Sequence, residues 1–360
     1  MKRVLVIVNN LGIGGGVQQV LYTLKNRLDN IIKFDYVCLS DEKLEEYNFS
    51  SDSNIFRIDE YYKRKYIGKI NLYKLLKQKI KNYDYIYLNI SSGSEVFIAL
   101  MIKIIFGNKI IIHVHNQLEC SYTKKILVSK ISNFSADRLL ACSIESAISY
   151  YGNEILKKDN FKIINNPIDI QKFMFNQIDR KVMRSKYNIN ENEVALGIIG
   201  RLERVKNHIF AIELMSDLVK NNNKYKLFII GEGSMDKKIK DLIKRLDLHR
   251  NIVLLKTTKD INRIYNMIDI LLMPSIKEGL GMTVVEGQYS GLKCIASEGV
   301  PKSTRISNNI NYINTNNKKK WIEEILNYQK ENDRVQIEII DKKFDSNLVL
   351  ENFENVFGEI

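Results

Sequence analysis

No run of about 18 consecutive apolar residues, the length a membrane-crossing helix needs, occurs in this 360-residue chain. The nearest stretch, residues 96–106, is far shorter and holds Lys103, so a buried helix is expected there. The apolar run at 4–8 that follows Lys2 and Arg3 is too short for a signal-peptide core, and a cytoplasmic protein is expected. Cysteine is scarce: Cys38, Cys120, Cys142 and Cys294 stand far apart with no Cys-x-x-Cys spacing, which argues against a disulfide framework or a zinc cluster and for free, buried thiols. The glycine-rich turn at 11–16 does not fit Gly-x-Gly-x-x-Gly, because Val17 stands where the third glycine belongs, and no acidic residue ends the next strand in the expected place. A dinucleotide site is therefore disfavoured.

What is present is a repeated alternation of apolar strands and amphipathic helices. The length suits two domains, each with its own core. Residues 4–9 read as a strand, the turn with Gly15 and Gly16 permits close approach of backbone to a sugar or phosphate, and Val17, Val20, Leu21, Leu24 and Leu28 follow helical spacing. Further strands are expected at 34–39, 55–58, 85–90, 109–114, 138–142 and 162–164, with Ser143 capping a helix, and Asn166-Pro167 breaks the first half. The second half restarts with a strand at 194–200, a loop, and Asn207 as the expected cap of the next helix. Strands at 226–230, 252–255, 270–273 and 294–296 would complete a second parallel sheet.

Charge is abundant and uneven. The net charge is +13, and the first 175 residues carry 25 Lys/Arg against 17 Asp/Glu. Residues 61–81 hold eight Lys/Arg and no acid, with Ile67, Ile70, Leu72, Leu75, Leu76 and Ile80 as the expected inward stripe, and residues 124–134 form a second basic amphipathic stretch. Such a chain suits nucleic acid, anionic lipid or phosphorylated ligands. The strand at 109–114 delivers His113 and His115 to a loop at its carboxyl end, where open α/β sheets place ligands. The two rings are expected to diverge to opposite faces, and no Cys/His cluster accompanies them, so no metal is assigned.

The chain is organised around residues 274–291. An apolar strand stops at Pro274, Gly279 and Gly281 mark a turn, and a helix should open near Met282. Its first N–H groups, at Met282, Thr283 and Val284, would lack intrahelical partners and form an anion site. Glu278 and Glu286 flank that site. Carboxylates beside a phosphate are better suited to neutral hydroxyls, and phosphate flanked by hydroxyls describes a nucleotide sugar.

Glu278-x7-Glu286, with Gly279, Gly281, Gly291 and Cys294-Ile-Ala-Ser297, resembles the donor-site signature of glycosyltransferase family 4, retaining enzymes of the GT-B fold. Gly200-Arg201 and Lys206-Asn207 resemble that family's Gly-Arg-x4-Lys-Asn. The Glu278-Gly-Leu form and Pro301 soon after Ser297 match the branch that builds capsular and exopolysaccharides. The resemblance implies an α/β fold of two Rossmann-like domains facing across a cleft. Residues 1–168 would bind the acceptor, 169–343 the donor, and a terminal helix in 344–360, with Leu348, Phe353 and Phe357 as its apolar positions, would cross back to the first domain.

It also implies roles. Arg201 and Lys206, with the backbone at Gly200, would stabilise the departing diphosphate, whose negative charge grows in the transition state. Glu286 would bind ribose hydroxyls. Glu278, Gly279, Leu280, Gly281, Met282 and Thr283 would bind the transferred sugar, and His115, helped by Asn116, would hold the reacting region from the opposite domain. The donor would be a nucleoside-diphosphate hexose, UDP-linked, as co-substrate with no other cofactor and no metal, an Asp-x-Asp motif being absent. The acceptor would be a saccharide, lipid-linked, at the inner face of an anionic membrane. Two alternatives stay open. One is a sugar-nucleotide epimerase of the same architecture; the other is a basic nucleic-acid-binding protein, hinted at only by Tyr61-Tyr62 beside Lys63.

Overall fold

The computed structural model describes residues 1–12, 16–40, 49, 53–58, 61–221, 224–328, 339 and 341–358. The chain divides into two compact units, Met1–Pro167 with Lys343–Ile360, and Ile168–Lys342. The first is built on β1 (Lys2–Val8), β2 (Ile32–Cys38), β3 (Ile55–Arg57), β4 (Tyr85–Ile90), β5 (Lys109–Val114), β6 (Arg138–Ala141) and β7 (Phe161–Ile163). They form one parallel sheet in the order β3-β2-β1-β4-β5-β6-β7. Parallel neighbours need crossovers, here α1 (Gly16–Leu28), α2 (Lys65–Lys79), α3 (Val96–Ile105), α4 (Tyr122–Ser135) and α5 (Ile144–Tyr151).

The second unit follows with α6 (Ile170–Phe173), α7 (Gln177–Lys186), β8 (Val194–Ile199), α8 (His208–Asn221), β9 (Tyr225–Ile230), α9 (Asp236–Arg245), β10 (Ile252–Leu255) and α10 (Ile261–Met267). It continues with β11 (Ile270–Met273), α11 (Met282–Tyr289), β12 (Lys293–Ala296), β13 (Ile310–Tyr312) and α12 (Lys318–Leu326). Its strands are parallel in the order β10-β9-β8-β11-β12-β13. The last helix, α13 (Ser346–Gly358), packs within the first unit.

Both faces of each sheet are covered, which is why the strands read as almost unbroken apolar runs. In β1 the pleat sorts them: Leu5 and Ile7 join the core beneath α2–α5, while Val4, Val6 and Val8 join the core beneath α1 and α13. The second core is closed by Trp321 of α12 against Phe210 of α8, ring centroids 5.2 Å apart. The start of β11 is fixed by Asp269, whose carboxylate meets Arg180 at 2.5 Å and Arg184 at 3.0 Å, both from α7, and accepts the Ala195 N–H at 2.7 Å. Burial opposes that charge, but the two arginines hold the Asp269 carboxyl below its usual range. β11 in turn delivers Pro274 and Glu278.

Four expectations are corrected. Helix α2 buries Gly68, Leu72, Leu76 and, just past its end, Ile80, and leaves Ile67 and Ile70 exposed, because the inward residues repeat every four positions from Gly68. Helix α3 is not a wholly buried helix: Phe97, Ile104 and Ile105 face outward, and a helix apolar all round carries no periodic signal to show which side is covered. His113 and His115 do not diverge. Side chains two apart on a strand share a face, and the rings lie 3.9 Å apart. In α13 Leu348 is exposed, and the packing is done by Val349, Leu350, Phe353, Val356 and Phe357. Ser143 does cap α5, accepting from the Ser146 N–H.

Candidate functional site

The carboxyl end of the second sheet collects most of the expected donor residues. After β8, Gly200 turns the chain into a loop in which Arg201 is exposed and Lys206 ends a short 3-10 turn. A second turn, after β9, docks on this one: Leu202 N–H donates to Glu232 O at 2.9 Å. A Cβ on Gly231 would stand 2.0 Å from Gly200 O, so only glycine allows that approach. Ser234, in the same turn, donates its hydroxyl to Glu203 at 2.8 Å and with its N–H holds that carboxyl below its usual range.

Lys206 and Glu278, expected to meet different parts of a ligand, meet each other. Their Nζ–Oε1 distance is 2.7 Å, and both side chains are mostly shielded. Asn207 stands immediately before α8, where its C=O accepts the Phe210 N–H at 3.1 Å; its backbone is left-handed and its side-chain amide donates to Pro274 O at 3.2 Å, tying the β8 loop to the β11 loop. A second tie is Ile276 N–H to Val205 O at 2.8 Å. Beside Lys206 lies His208, a buried residue the sequence reading missed. Burial, then the Lys206 charge, push its imidazole down to about 4, and neither ring nitrogen has a hydrogen-bond partner among the described residues.

Helix α11 opens at Met282 as expected, after Gly281 at φ +93, and without a side-chain cap. A Cβ on Gly281 would press on Met273 and Val300 at 3.2 Å as well as straining the backbone. Val284 is removed from the anion-binding groups, because its N–H donates to Gly281 O at 3.1 Å. The open end is thus Met282 and Thr283, with Leu280 buried beneath and Gly279 in the loop.

One turn further, Glu286 accepts a 2.6 Å hydrogen bond from the Tyr265 hydroxyl of α10, and Tyr265 also reaches Thr283 O at 3.3 Å. Burial pushes the Glu286 carboxyl up to about 7, against the lowering effects of Tyr265 and Lys172. Sequence reasoning missed Tyr265, because nothing in its local pattern separates a core tyrosine from one aimed at a carboxylate 21 residues on.

In the first unit, Gly16 begins α1, where a Cβ would stand 3.2 Å from Asn166 Nδ2; Gly15 lies outside the described residues. His115 follows β5, with Nε2 2.9 Å from Asn89 Oδ1, and burial pushes its ring down to about 4 despite the raising effect of Asn166. His113 donates to or accepts from Tyr87 at 2.6 Å, also with its pKa lowered by burial. Asn116 donates to Ser91 O at 2.7 Å and accepts from Tyr150 at 2.9 Å. This end therefore presents neutral groups. Glu95, which follows β4, is buried and occupied by the N–H groups of Ser91 and Ser92 and the Tyr62 hydroxyl.

Residues 179–341 match the family described as glycosyl transferases group 1. Over 321 residues, 83% of this chain and 80% of the relative, the sequence is 22% identical to the putative glycosyltransferase EpsF of Bacillus subtilis (strain 168). Over 239 residues, 63% of this chain and 60% of the relative, it is 24% identical to the UDP-Gal:alpha-D-GlcNAc-diphosphoundecaprenol alpha-1,3-galactosyltransferase of Escherichia coli. Among solved structures, Anabaena HepE in complex with UDP-glucose shares the fold over 100% of both chains, with a TM-score of 0.80 at 16% identity. Residues 179–341 thus match the group 1 glycosyl transferases, and the chain as a whole has the GT-B fold.

Proposed function

We propose that this chain transfers a hexosyl unit, with retention, from a UDP-linked sugar to a saccharide acceptor carried on a lipid, in capsular, exopolysaccharide or other cell-surface glycan synthesis. The observation that carries the reading is the carboxyl end of the second sheet. There the Lys206–Glu278 pair and the Tyr265–Glu286 pair flank the open start of α11, and Arg201 lies exposed in the loop that carries Lys206. A diphosphate at Met282 and Thr283 would draw Lys206 from Glu278, and Arg201 would add a bidentate fork. Glu278, so released, would accept from sugar hydroxyls, and Glu286, oriented by Tyr265, from the ribose. Support for the donor comes from HepE, solved with UDP-glucose, and for a lipid-linked acceptor from the E. coli relative named for UDP-Gal and a diphosphoundecaprenol glycan. The relatives named for O-antigen and capsular polysaccharide biosynthesis support the setting.

The bond between the sugar anomeric carbon and the phosphate oxygen breaks while one to the acceptor oxygen forms on the same face. The acceptor hydroxyl proton passes to the leaving phosphate, and His115 holds the reacting region as a neutral hydrogen-bonding partner. No metal is assigned a part. A thermal-shift panel of nucleoside-diphosphate sugars tests the reading. A true donor at 100 times its dissociation constant should stabilise the protein by about 2.7 kcal/mol. No shift with any UDP-sugar would reject the UDP assignment, and donor turnover without acceptor to an epimeric sugar would favour the epimerase.

A further inference from the structure

We propose that the β13 edge of the second sheet carries an anion site of its own, which takes a small phosphorylated ligand through a dianionic phosphate group. It shares no residue with the donor site, and the proposal stands without the transfer reaction. A cavity of about 280 Å³ opens at this edge, with Lys302, Arg305, Asn311, Tyr312, Lys320 and Glu324 in its wall. Tyr312 ends β13, and its hydroxyl is fixed by Thr304 Oγ1 at 2.8 Å and Pro301 O at 3.4 Å. Over its ring stand two cations, the Lys302 ammonium 3.8 Å and the Arg305 guanidinium 5.6 Å from the centroid. An aromatic face attracts each of them, and so brings like charges together. Burial lowers the Lys302 pKa, Glu298 opposes that, and Arg305 lowers it further. The turn that carries the two cations is pinned from below. Gln288, wholly buried in α11, donates to Thr304 O at 2.8 Å and accepts the N–H groups of Ile306 at 3.0 Å and Ser307 at 3.1 Å.

Charge and size identify the ligand. The carboxylates at this edge are already engaged: Glu324 pairs with Lys293 at 3.0 Å and accepts from Asn311 at 2.7 Å, and Glu298 accepts from Asn314 at 2.7 Å. Set against these two acids, the four cations Lys293, Lys302, Arg305 and Lys320 leave an excess of two positive charges. A lone carboxylate would bring only one negative charge. A phosphate monoester brings about −1.5 to −2 at neutral pH with three strong acceptor oxygens, which matches the excess. Placed between Lys302 and Arg305 it would relieve their repulsion, and Arg305 offers it a bidentate fork. At about 30 Å³ per water the cavity equals roughly nine waters, room for a phosphate with one small substituent and too little for a nucleotide or an oligosaccharide.

Phosphorus NMR line broadening, with the full chain titrated against inorganic phosphate and against glycerol 3-phosphate at low salt, decides. The donor site also attracts phosphate, so each titration is run on wild type and on Arg201→Ala, and binding at the β13 edge should persist in both. Lys302→Gln with Arg305→Gln should weaken the binding that persists in Arg201→Ala by at least roughly tenfold, the loss of one charge-assisted hydrogen bond or more. Lys237→Gln with Lys238→Gln, which removes the same charge from exposed positions on α9, should leave it within about twofold, because distant surface charge is screened. All four side chains are exposed, so both pairs should keep the wild-type melting transition and UDP-sugar thermal shift. Tighter binding of glycerol 3-phosphate than of inorganic phosphate supports the site and identifies a phosphorylated small molecule as its occupant; equal binding supports it with the free ion as occupant. No phosphate binding by wild type overturns the proposal. So does binding that Arg201→Ala alone abolishes, that survives the paired change at Lys302 and Arg305, or that the α9 pair weakens to the same degree.

Discussion

The two sheets end differently. Each is parallel, each opens its carboxyl end to loops, and general α/β geometry would let either end hold a ligand. Yet the first end shows Asn89, His115, Asn116, Ser143 and Asn166, while the second shows Arg201, Lys206, Glu278 and Glu286. In the first, His113 and His115 are kept neutral by burial. In the second, Lys206 and Glu278 hold each other as an ion pair. Topology therefore fixes where a site can be, and side-chain charge fixes what it can hold. A diphosphate needs the charged end; a neutral hydroxyl is better served by groups that both donate and accept.

Removing charge from the second end should have the largest effect. Arg201→Ala is expected to lower kcat/KM by about 10²–10³, the scale of losing a preorganised donor to a developing negative charge. Steady-state kinetics at saturating acceptor checks it. Near-wild-type turnover would take Arg201 out of the site and erase the contrast between the two ends.

Glu286 comes next. Glu286→Ala should cost about 1.5–3 kcal/mol in nucleotide binding, the range for hydrogen bonds to a charged group. A 2′,3′-dideoxy nucleotide should bind poorly to wild type and be indifferent to the change. The pH dependence has a definite sign. A carboxyl raised to about 7 favours the folded state fully below its unfolded value, and that contribution is lost as pH rises through about 7. Nucleotide binding should run the other way, since ribose hydroxyls prefer the carboxylate, and affinity should climb as pH passes upward through about 7. Titration calorimetry of wild type and Glu286→Gln reads this directly; a slope that survives in Glu286→Gln belongs to another group.

Much of this contrast was legible in the sequence, and the reason is local. Gly200-Arg201, Lys206-Asn207 and the Glu278–Glu286 spacing lie on short loops and one helix turn, where order along the chain nearly dictates neighbourhood. The strands were legible because burial on both faces leaves an apolar run. The Lys206–Glu278 pair was not, because its partners are 72 residues apart and meet only through parallel pairing of β8 with β11. Tyr265 was hidden for the same reason. The inward side of α2 was misread because Ile67 and Ile70 are apolar by type but point outward from a register set by Gly68. In α3, where nearly every residue is apolar, the pattern could not say which side stays uncovered.

A smaller effect is expected at the neutral end. His115→Ala removes one neutral hydrogen bond and should lower activity by about tenfold or less. Because burial holds the ring down to about 4, the wild-type rate should show no titration from His115 across neutral pH; the stability it contributes is fully present above its unfolded value of 6.5 and is lost progressively as pH falls from there through about 4. A rate profile with an inflection near 6.5 that vanishes in His115→Ala would mean the histidine acts as a charged group, and the two ends would be less different than they look.

The smallest expected effect is none, and it tests the charged end as a whole. If Arg201, Lys206 and the Met282 and Thr283 N–H groups together neutralise the leaving diphosphate, a divalent cation has no remaining work there. Extensively chelated enzyme should then retain its rate, and added Mg²⁺ or Mn²⁺ should change it little. The comparison sharpens when chelation is repeated on Arg201→Ala. With one fixed cation gone, a divalent ion bound to the diphosphate could restore part of the lost stabilisation, so this variant should respond to Mg²⁺ where wild type does not. Strict dependence of wild type on an added cation would show that the charged end is incomplete without metal, and would move the stabilising role away from the protein's own cations.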